Sequence, residues 1–378
     1  MKKVICIIPA EGTESWFYKD PGMIIYSLSK YCNYSGTLAY FGKEYHNKEF
    51  EKYAKVLSLG NLKNTRKEYI YEVKKFIEKE IKNYDIVMFF NYGSTNYKLA
   101  AYCKNYNPNV KVYCKLDMGD GGYTHFYETS ISRKIKNHIE RFKSKYVDLF
   151  TVETLKYYND LKDNAMFEGR RMRYLTNGVS NLGIDITKMD NIAKKNIVLT
   201  VGRLGIYEKN NEMLLEVIAQ LPKSLIEQWK FYFVGPKTDS FDIFIEKFFE
   251  QHDNLRNYVV FTGPITNREE LYTIYSKSKI YCLTSRSEGF NISVLEAMYY
   301  GCYPVLSNYG VSAYDVTNDG AIGAICEQGN INEYVNKLQA AILTYNNETA
   351  LNIKEIARNK YNYQKIAETL DDAISCLK

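Results

Sequence analysis

Residues 284–298 combine an acidic, glycine-containing loop with the start of a predicted helix. The apolar stretch 280–283 before them is typical of a buried strand, and the apolar spacing beyond them predicts that a helix begins at Ile292 or Ser293. Backbone N–H groups from Gly289 to Ser293 would point out of that helix start and could receive phosphate or sugar oxygens. The segment therefore predicts a binding loop for an anion or a polyol.

The side chains of this segment suit the same ligands. Gly289 has no Cβ, so a ligand can approach its backbone closely. Glu288 lies ahead of the predicted helix and Glu296 lies one turn inside it, and carboxylates accept hydrogen bonds from hydroxyl groups. The alternative is a buried helix with a capping residue and two solvated acids. The complete strand, loop and helix pattern favours the binding site.

A second segment, which is cationic, follows the predicted strand 197–201. Arg203 can hold a diphosphate with two hydrogen bonds, and Lys209 adds a point charge, so the pair can neutralise two phosphate charges without a metal. The alternative is a salt bridge from Arg203 and a solvated Lys209. A cation at a helix N-terminus is unfavourable for the helix dipole, which favours a ligand role for Lys209.

Five short motifs have the spacing of one known family. They are 201–203 with Lys209, 233–235, 261–263, 288–290 with Glu296, and the junction 174–179. In these motifs the sequence resembles the retaining glycosyltransferases of family 4, or glycosyl transferases group 1, which have the GT-B fold. The resemblance covers roughly residues 174–326, and the two glutamates separated by seven residues are among its more specific marks.

The resemblance implies a role for each matching residue. It implies that Arg203 and Lys209 hold the donor diphosphate, that Glu288 contacts the donor sugar and that Glu296 binds the ribose. The remaining implied contacts are backbone to sugar and phosphates from Gly289, Phe290 and Asn291, neighbours of the base at Gly235, Phe261 and Pro264, and a first-strand loop contact at Gly12. The donor would be a nucleotide diphosphate sugar, UDP-linked by frequency among relatives, with no metal and no other cofactor.

The first half departs from that family at residues 115–120. Many relatives have a histidine there, near the reacting carbon, whereas this chain has Asp117. Asp117 is a catalytic candidate because it could accept a hydrogen bond from a substrate hydroxyl, and Lys115 could pair with it or with phosphate. Equally, Asp117 could cap the turn before Gly119. His125 follows in the same region and is expected to be an exposed loop histidine.

These side chains need a scaffold, and the sequence predicts alternating strands and helices. The predicted strands are 4–8, 38–41, 86–90, 110–116, 149–152, 197–201, 231–234, 259–261, 280–283 and 304–306, and two clear helices are 68–82 and 130–145. This alternation is typical of parallel sheets covered on both faces. We expect an α/β fold with two doubly wound Rossmann-like domains facing a cleft, where ligands bind beyond the strand ends. The resemblance to family 4 implies that this is the GT-B fold.

Three segments follow from the turn-rich stretch near residue 180. Residues 1–183 would form one Rossmann-like domain and residues 184–360 another, and the resemblance implies that the first binds the acceptor and the second the nucleotide sugar. Residues 361–378 would form a C-terminal helix, and whether it crosses back to the first domain is left open.

Composition excludes several other classes. The 378 residues are 46% hydrophobic and 25% charged, which suits a globular chain, and no apolar run is long enough to span a bilayer. The eight cysteines and four histidines show no metal-binding spacing, which favours reduced thiols and a cytoplasmic location. No nucleic-acid-binding motif and no G-x-G-x-x-G motif is present, so neither nucleic acid nor a dinucleotide is an expected ligand.

Charge is uneven along the chain. Residues 1–180 carry 30 Lys and Arg against 20 Asp and Glu, whereas the rest of the chain carries 20 against 24. For the excess as a whole, lysines that solvate helix faces are the favoured explanation. The helix 130–145 also suits a peripheral contact with an anionic membrane on the inner face, although ordinary packing on the sheet is the favoured alternative.

The predicted function is the transfer of a hexose from the nucleotide sugar to an acceptor hydroxyl, with retained configuration. The acceptor would be a saccharide, a lipid-linked saccharide or a glycoprotein glycan, in bacterial surface polysaccharide or glycoconjugate synthesis. One alternative is another enzyme of the same fold, a nucleotide-sugar epimerase or a phosphorylase. The other is a non-catalytic nucleotide-sugar-binding protein.

Overall fold

The computed structural model describes residues 1–62, 66–91, 93–119, 123, 124, 126, 130–164, 167 and 171–377. They form two compact units. Unit 1 comprises Met1–Gly183 together with Asn362–Lys378, and unit 2 comprises Ile184–Tyr361. Within the described residues, no helix has the length and apolar character needed to cross a membrane.

Unit 1 is built on a seven-stranded parallel sheet in the order β3-β2-β1-β4-β5-β6-β7. The strands are β1 Lys2–Glu11, β2 Tyr34–Phe41, β3 Ala54–Ser58, β4 Ile86–Phe90, β5 Lys111–Lys115, β6 Leu149–Val152 and β7 Arg171–Tyr174. The helices from the same part of the chain are α1 Asp20–Tyr31, α2 Lys48–Glu51, α3 Arg66–Glu80, α4 Ser94–Tyr106, α5 Ile131–Ser144 and α6 Leu155–Leu161. Every residue of β4 is buried, as expected for a central strand covered on both faces.

Unit 2 is built on a six-stranded parallel sheet in the order β10-β9-β8-β11-β12-β13. The strands are β8 Lys195–Val201, β9 Lys230–Val234, β10 Val259–Gly263, β11 Ser278–Leu283, β12 Tyr303–Ser307 and β13 Ala324–Cys326. The helices are α7 Ile186–Asp190, α8 Asn211–Ala219, α9 Lys223–Ile226, α10 Asp239–Gln251, α11 Arg268–Lys277, α12 Ile292–Tyr299, α13 Val311–Thr317, α14 Ile331–Thr344 and α15 Asn347–Lys360. Short 3₁₀ helices occupy Glu14–Phe17, Ile81–Asn83 and Asp253–Leu255.

The C-terminal helix, α16 (Tyr363–Ser375), belongs to unit 1. Its apolar residues recur every three or four positions and enter the hydrophobic core of that unit; they are Tyr363, Ile366, Ala367, Leu370, Ala373 and Ile374. The Tyr34 hydroxyl also donates a hydrogen bond of 2.6 Å to Asp371 on this helix. The chain therefore completes the first core only with its last residues.

Both sheets confirm the predicted doubly wound α/β fold. In each sheet the chain builds outward from a central strand to one edge and then returns to build toward the other edge. The reversal lies between β1 and β4 in unit 1 and between β8 and β11 in unit 2. Loops leave the carboxyl ends of two such neighbours in opposite directions, which opens a crevice where ligands bind in folds of this class.

The prediction missed β3, β7 and β13, all of which lie at sheet edges. An edge strand pairs on one side only and can carry charged residues, as β7 does with alternating arginines. The long apolar runs that identify central strands are therefore absent from these segments.

Candidate functional site

Two loops at the reversal point of unit 2 are held together by hydrogen bonds. One loop follows β8 and the other follows β11. The Thr284 hydroxyl donates to the carbonyl of Asn210 at 2.9 Å, and the Arg286 N–H donates to the carbonyl of Glu208 at 2.7 Å. The two segments that the sequence singled out separately therefore form one surface.

Lys209 and Glu288 form an ion pair at the centre of this surface. Lys209 Nζ lies 2.5 Å from Glu288 Oε1, and the side chains are only 16% and 12% exposed. The Ser285 hydroxyl donates to the same carboxylate oxygen at 2.5 Å. Lys209 precedes α8 by two residues, so Glu288 compensates a cation near a helix N-terminus.

Arg203 is exposed at the carboxyl end of β8, one residue after Gly202. Within the described part of the chain, no hydrogen bond or ion pair involves its guanidinium. The sequence alternative, in which Arg203 is salt-bridged and Lys209 is solvated, is therefore wrong. The structure shows the reverse, and it leaves a planar cation available to an anionic ligand.

The predicted helix start is confirmed, since α12 begins at Ile292. Asn291 is its N-cap, and Asn291 Oδ1 accepts hydrogen bonds from the Ser293 N–H at 3.0 Å and the Val294 N–H at 3.4 Å. The prediction that the Ser293 amide is available to a ligand is therefore wrong. Among the described residues nothing accepts from the amides of residues 289–292, so these remain as donors at the positive end of the helix.

The loop before α12 is anchored on both sides. The Phe290 side chain is buried and lies against the Tyr361 ring, with 6.4 Å between the ring centroids. The Ser312 hydroxyl donates to the Gly289 carbonyl at 2.7 Å. Gly289 itself is exposed, and no atom of the described residues lies within 4 Å of where a Cβ would be. The backbone here is fixed and open on one side.

Glu296 is buried on α12 and is not a solvated acid. Its Oε1 accepts a hydrogen bond from Arg268 at 2.9 Å and another from the Tyr272 hydroxyl at 3.4 Å. Burial raises the pKa of Tyr272, and the adjacent Glu296 charge raises it further, so Tyr272 stays a hydrogen-bond donor. The predicted contact of Glu296 with a ribose remains a prediction, now with Arg268 as a second polar group beside it.

The predicted neighbours of the base lie at the ends of β9 and β10. Gly235 has a φ of +142°, and a Cβ there would lie 1.7 Å from the Gly202 carbonyl oxygen. The Gly235 N–H donates to the Gly263 carbonyl at 3.0 Å. Phe261 is half-buried against Phe233, whereas Pro264 is exposed. Gly235 thus allows adjacent strand ends to pack closely.

The unit 1 candidates have local roles that the sequence did not show. Gly12 is buried, its N–H donates to the Phe41 carbonyl at 2.6 Å, and a Cβ would lie 2.3 Å from the Tyr40 ring. The Gly12 amide is therefore engaged within unit 1, and the first-strand loop contact that the resemblance implies at Gly12 remains a prediction. Asp117 is exposed, with a left-handed φ of +45°. His125 lies outside the described residues.

A buried ionic cluster supports the Asp117 loop. Lys115 Nζ lies 3.1 Å from Asp20 Oδ2, and the two side chains are 0% and 4% exposed. Lys115 is therefore paired with Asp20, not with Asp117 or a phosphate as the sequence suggested. Glu153 is also fully buried and accepts a hydrogen bond from the Met118 N–H. Burial raises the pKa of Glu153 to about 8.

Sequence reasoning missed three contributors to the unit 2 surface: Arg268, Ser285 and Arg286. Arg268 is the first residue of α11, directly after its cap Asn267, and a helix start of that type is recognisable in sequence. Ser285 and Arg286 lie inside the segment already singled out. Nothing in the sequence indicates that Arg286 stacks its guanidinium 4.4 Å from the Tyr207 ring centroid, because that contact joins distant loops.

Residues 185–360 match the family described as Glycosyl transferases group 1. This range is unit 2 less one residue at each end.

Curated relatives cover part of the chain. An uncharacterized glycosyltransferase of Haemophilus influenzae is 28% identical over 247 residues, which are 61% of this chain and 64% of the relative. A Campylobacter jejuni protein is 28% identical over 204 residues, 53% of this chain and 52% of the relative. Its name is GalNAc-alpha-(1->4)-GalNAc-alpha-(1->3)-diNAcBac-PP-undecaprenol alpha-1,4-N-acetyl-D-galactosaminyltransferase. The chain thus aligns with less than two thirds of the length of these relatives.

Solved structures match along the whole chain. Sucrose-phosphate synthase from Thermosynechococcus elongatus has a TM-score of 0.71 at 15% identity, covering 99% of this chain and 98% of that one. Anabaena Alr3699/HepE, in complex with UDP and glucose, has a TM-score of 0.67 at 15% identity and full coverage of both chains, 100% each. Unit 2 thus matches the glycosyl transferases group 1 family, and the fold of the chain is GT-B.

Proposed function

We propose that this protein transfers a hexose from a nucleotide diphosphate sugar, UDP-linked, to an acceptor hydroxyl with retained configuration. The observation that carries the proposal is the unit 2 surface. There an exposed Arg203, the Lys209–Glu288 ion pair and the free amides of residues 289–292 converge at the reversal point of the sheet. Unit 2 would bind the donor and unit 1 the acceptor.

The cations and amides would act on the leaving group. As the bond from the sugar to the diphosphate breaks, negative charge grows on the phosphate oxygens. Lys209 is held by Glu288 and the N-terminus of α12 is held by its Asn291 cap before the donor binds. Preorganised electrostatics of this kind is usually the largest catalytic contribution. Arg203 would add a second cation when the diphosphate is bound. We therefore propose that the reaction needs no metal.

Glu288 would change partners when the donor binds. Without a ligand, its carboxylate is held by Lys209 and Ser285. A diphosphate offers Lys209 a stronger acceptor, because it carries more charge than one carboxylate. Glu288 would then be free to accept hydrogen bonds from the sugar hydroxyls.

Retention follows if the acceptor attacks from the face that the diphosphate leaves. The bond from the anomeric carbon to the phosphate oxygen breaks, and a bond from that carbon to the acceptor oxygen forms on the same side. The acceptor proton passes to the departing phosphate oxygen. This route requires no protein nucleophile. We propose it by analogy with the family that the sequence resembles.

The proposed acceptor is a saccharide, either lipid-linked or part of a glycoprotein glycan, in bacterial surface glycan synthesis. The Campylobacter relative supports the lipid-linked form, since its name specifies an undecaprenol-linked saccharide. A third relative is named as a protein of a Klebsiella pneumoniae cps region, at 26% identity over 238 residues.

A thermal-shift panel tests donor binding directly. UDP- and GDP-sugars are added to the full chain with and without EDTA, and preferential binding to the folded state raises the melting temperature. We expect a shift with UDP-sugars that EDTA leaves unchanged. Absence of any shift at millimolar donor would contradict the proposal. If the protein converted one nucleotide sugar into another without an acceptor, the alternative function, a nucleotide-sugar epimerase, would replace the transferase.

Two variants of the ion pair test how the site works. Lys209→Gln should weaken UDP binding about tenfold, because it removes a phosphate contact. Glu288→Gln should leave UDP binding equal or tighter, because Lys209 loses its competitor, yet it should lower transfer of the sugar. Lys223→Gln is the matched control, since Lys223 is 83% exposed on α9. Equal loss of UDP affinity in both ion-pair variants would contradict the proposal that Lys209 leaves Glu288 for the diphosphate.

A further inference from the structure

Tyr207, in the loop after β8, is the most exposed aromatic residue in the described part of the chain. Its relative exposure is 75%, whereas Tyr272, Tyr275 and Tyr281 of the same unit are fully buried. Burial of apolar surface therefore does not explain this ring. Singly exposed apolar residues are common on protein surfaces, so the way in which the ring is held decides whether it has a role.

The Tyr207 ring is held from a different loop. Arg286, 79 residues further along the chain, has its guanidinium carbon 4.4 Å from the Tyr207 ring centroid. Its Nη1 donates to the Tyr207 carbonyl at 2.5 Å, and its backbone N–H donates to the Glu208 carbonyl at 2.7 Å. The Arg286 carbonyl accepts from Gln328 Nε2 at 2.5 Å. The ring is thus positioned in advance, so a ligand that packs on it loses less conformational entropy.

Tyr71 on α3 in unit 1 is an exposed tyrosine of the ordinary kind. It is 60% exposed, and Lys75 Nζ lies 5.0 Å from its ring centroid. The two residues are four positions apart on one helix, so their contact requires no tertiary structure. The contact between Tyr207 and Arg286 instead joins the two loops that carry the proposed donor site. Its position, unlike that of Tyr71, points to a ligand.

The chemistry of the Tyr207 ring differs from that of its neighbours. Lys209, two residues after it, pairs with Glu288, two residues after Arg286. Those charged groups suit a diphosphate and hydroxyl groups, whereas the ring offers a flat apolar face with a hydroxyl at its edge. A neutral sugar ring is complementary to it, because C–H groups cover the sugar faces and hydroxyls its rim. The guanidinium lies over one face of the ring, so the sugar would pack on the other.

We propose that Tyr207 stacks against the reacting sugar of the acceptor and that Arg286 is the positioning residue for this ring. The inference rests on the proposed function, because there the acceptor hydroxyl must come within about 3–3.5 Å of the anomeric carbon of the donor. The reacting end of the acceptor therefore lies beside the donor sugar, wherever the rest of it binds. The donor sugar is assigned to Glu288 and the backbone of 289–291, which leaves Tyr207 for the second sugar.

Saturation-transfer NMR of the full chain tests this contact without the natural acceptor. The probes are methyl glycosides of glucose, galactose and N-acetylgalactosamine, at millimolar concentration with saturating UDP. We expect transfer to the C–H protons of one sugar face for at least one probe. Tyr207→Ala should weaken binding of that probe about tenfold, and Tyr207→Phe should preserve it, because stacking needs the ring and not the hydroxyl. Tyr71→Ala is the matched control and should bind like the wild type.

Three further variants locate the probe and test the positioning residue. Glu288→Gln should leave probe binding unchanged; loss in this variant but not in Tyr207→Ala would overturn the proposal, since the probe would then occupy the donor-sugar position. Arg286→Ala should weaken binding, and Arg286→Lys should recover part of it, because a cation can still lie over the ring. Unchanged binding in Arg286→Ala would overturn the positioning role.

The thermal shift with UDP-sugars separates this inference from the proposed function. A shift in the wild type without transfer to any methyl glycoside would overturn the stacking proposal alone. Equal binding of the probe by the wild type and Tyr207→Ala would do the same. Absence of the shift would instead contradict the proposed function, on which the assignment to an acceptor rests.

Discussion

Gly235 and Gly289 lack a side chain for different physical reasons. At Gly235 the obstacle is the protein, because a Cβ would overlap the Gly202 carbonyl oxygen and φ is +142°. At Gly289 the part of the chain that the structure describes leaves open space, with none of its atoms within 4 Å of a Cβ position. A ligand at the proposed diphosphate site would meet a side chain there. Gly235 is therefore required for the packing of the protein, whereas Gly289 would be required for the approach of the ligand.

Alanine at each position should separate the two effects. Gly235→Ala should lower the free energy of unfolding by about 1–3 kcal/mol or more, because it forces strand ends apart. Gly289→Ala should leave stability within about 0.5 kcal/mol of the wild type, yet weaken binding of the nucleotide sugar severalfold. Chemical denaturation and calorimetric titration measure the two quantities. Unchanged sugar binding in stable Gly289→Ala would argue against a ligand at this backbone.

Glu153 makes unit 1 sensitive to pH. Burial raises its pKa from the ordinary 4.5 to about 8, the nearby Lys115 charge lowers it, and Asp117 raises it. Asp20 also faces the cluster through its pairing with Lys115. Between pH 4.5 and about pH 8, Glu153 in the folded state holds a proton that the unfolded chain has released. The stability from this group is thus fully present below about pH 4.5 and is lost as pH rises toward 8.

Glu153→Gln should remove that dependence, because an amide still accepts from the Met118 N–H but does not titrate. We expect the stability of the variant relative to the wild type to increase from pH 5 to pH 8. Urea denaturation at several pH values measures it, with Glu227→Gln on the surface as control. A constant difference between variant and wild type would mean that Glu153 is ionised throughout.

At the scale of elements, the N-terminus of α12 combines stability with binding. Asn291 caps the helix and thereby fixes the direction of the free amides before it. The N-cap Asn346 does the same for α15, where it accepts from the Thr349 N–H at 2.9 Å, away from the proposed donor site. Both caps are asparagine side chains that accept backbone N–H groups, but only Asn291 lies at the proposed donor site.

Asn291→Ala and Asn346→Ala should each cost about 1 kcal/mol of unfolding free energy, the usual value of a lost cap. Only Asn291→Ala should also weaken nucleotide-sugar binding, because the amides at residues 289–292 lose their fixed direction. Denaturation and calorimetric titration of both variants provide the comparison. A similar decrease in sugar affinity for Asn346→Ala would show that the effect is general destabilisation.

At the scale of the molecule, the last helix ties the C-terminus to the first unit. Leu370 on α16 is fully buried in the core of unit 1, next to exposed Thr369. The Tyr363 hydroxyl donates to Asp20, the partner of Lys115. The stability of unit 1 thus depends on residues that follow the whole of unit 2 in sequence.

Leu370→Ala should destabilise unit 1 by about 2–5 kcal/mol, because it leaves a cavity in that core. Hydrogen exchange followed by mass spectrometry should show faster exchange in peptides of residues 1–183, with peptides of 184–361 unchanged. Thr369→Ala is the control and should change neither. Faster exchange confined to unit 2 would contradict the assignment of α16.

The sequence by itself predicted the central strands, the start of α12 and part of the proposed donor site. These features are local, since a buried strand needs a continuous apolar run and a helix start needs a cap and a change of period. Arg203, Lys209 and Glu288 were found because their residue types follow such strands at short spacing.

Only the tertiary structure decided which of these groups are paired. Lys209 and Glu288 are 79 residues apart, and they meet because the strand order places β8 beside β11. The pairing of Lys115 with Asp20 and the return of α16 to unit 1 also depend on contacts across the chain. The edge strands β3, β7 and β13 were decided in the same way, because a strand that pairs on one side only is defined by its neighbour more than by its own apolar residues.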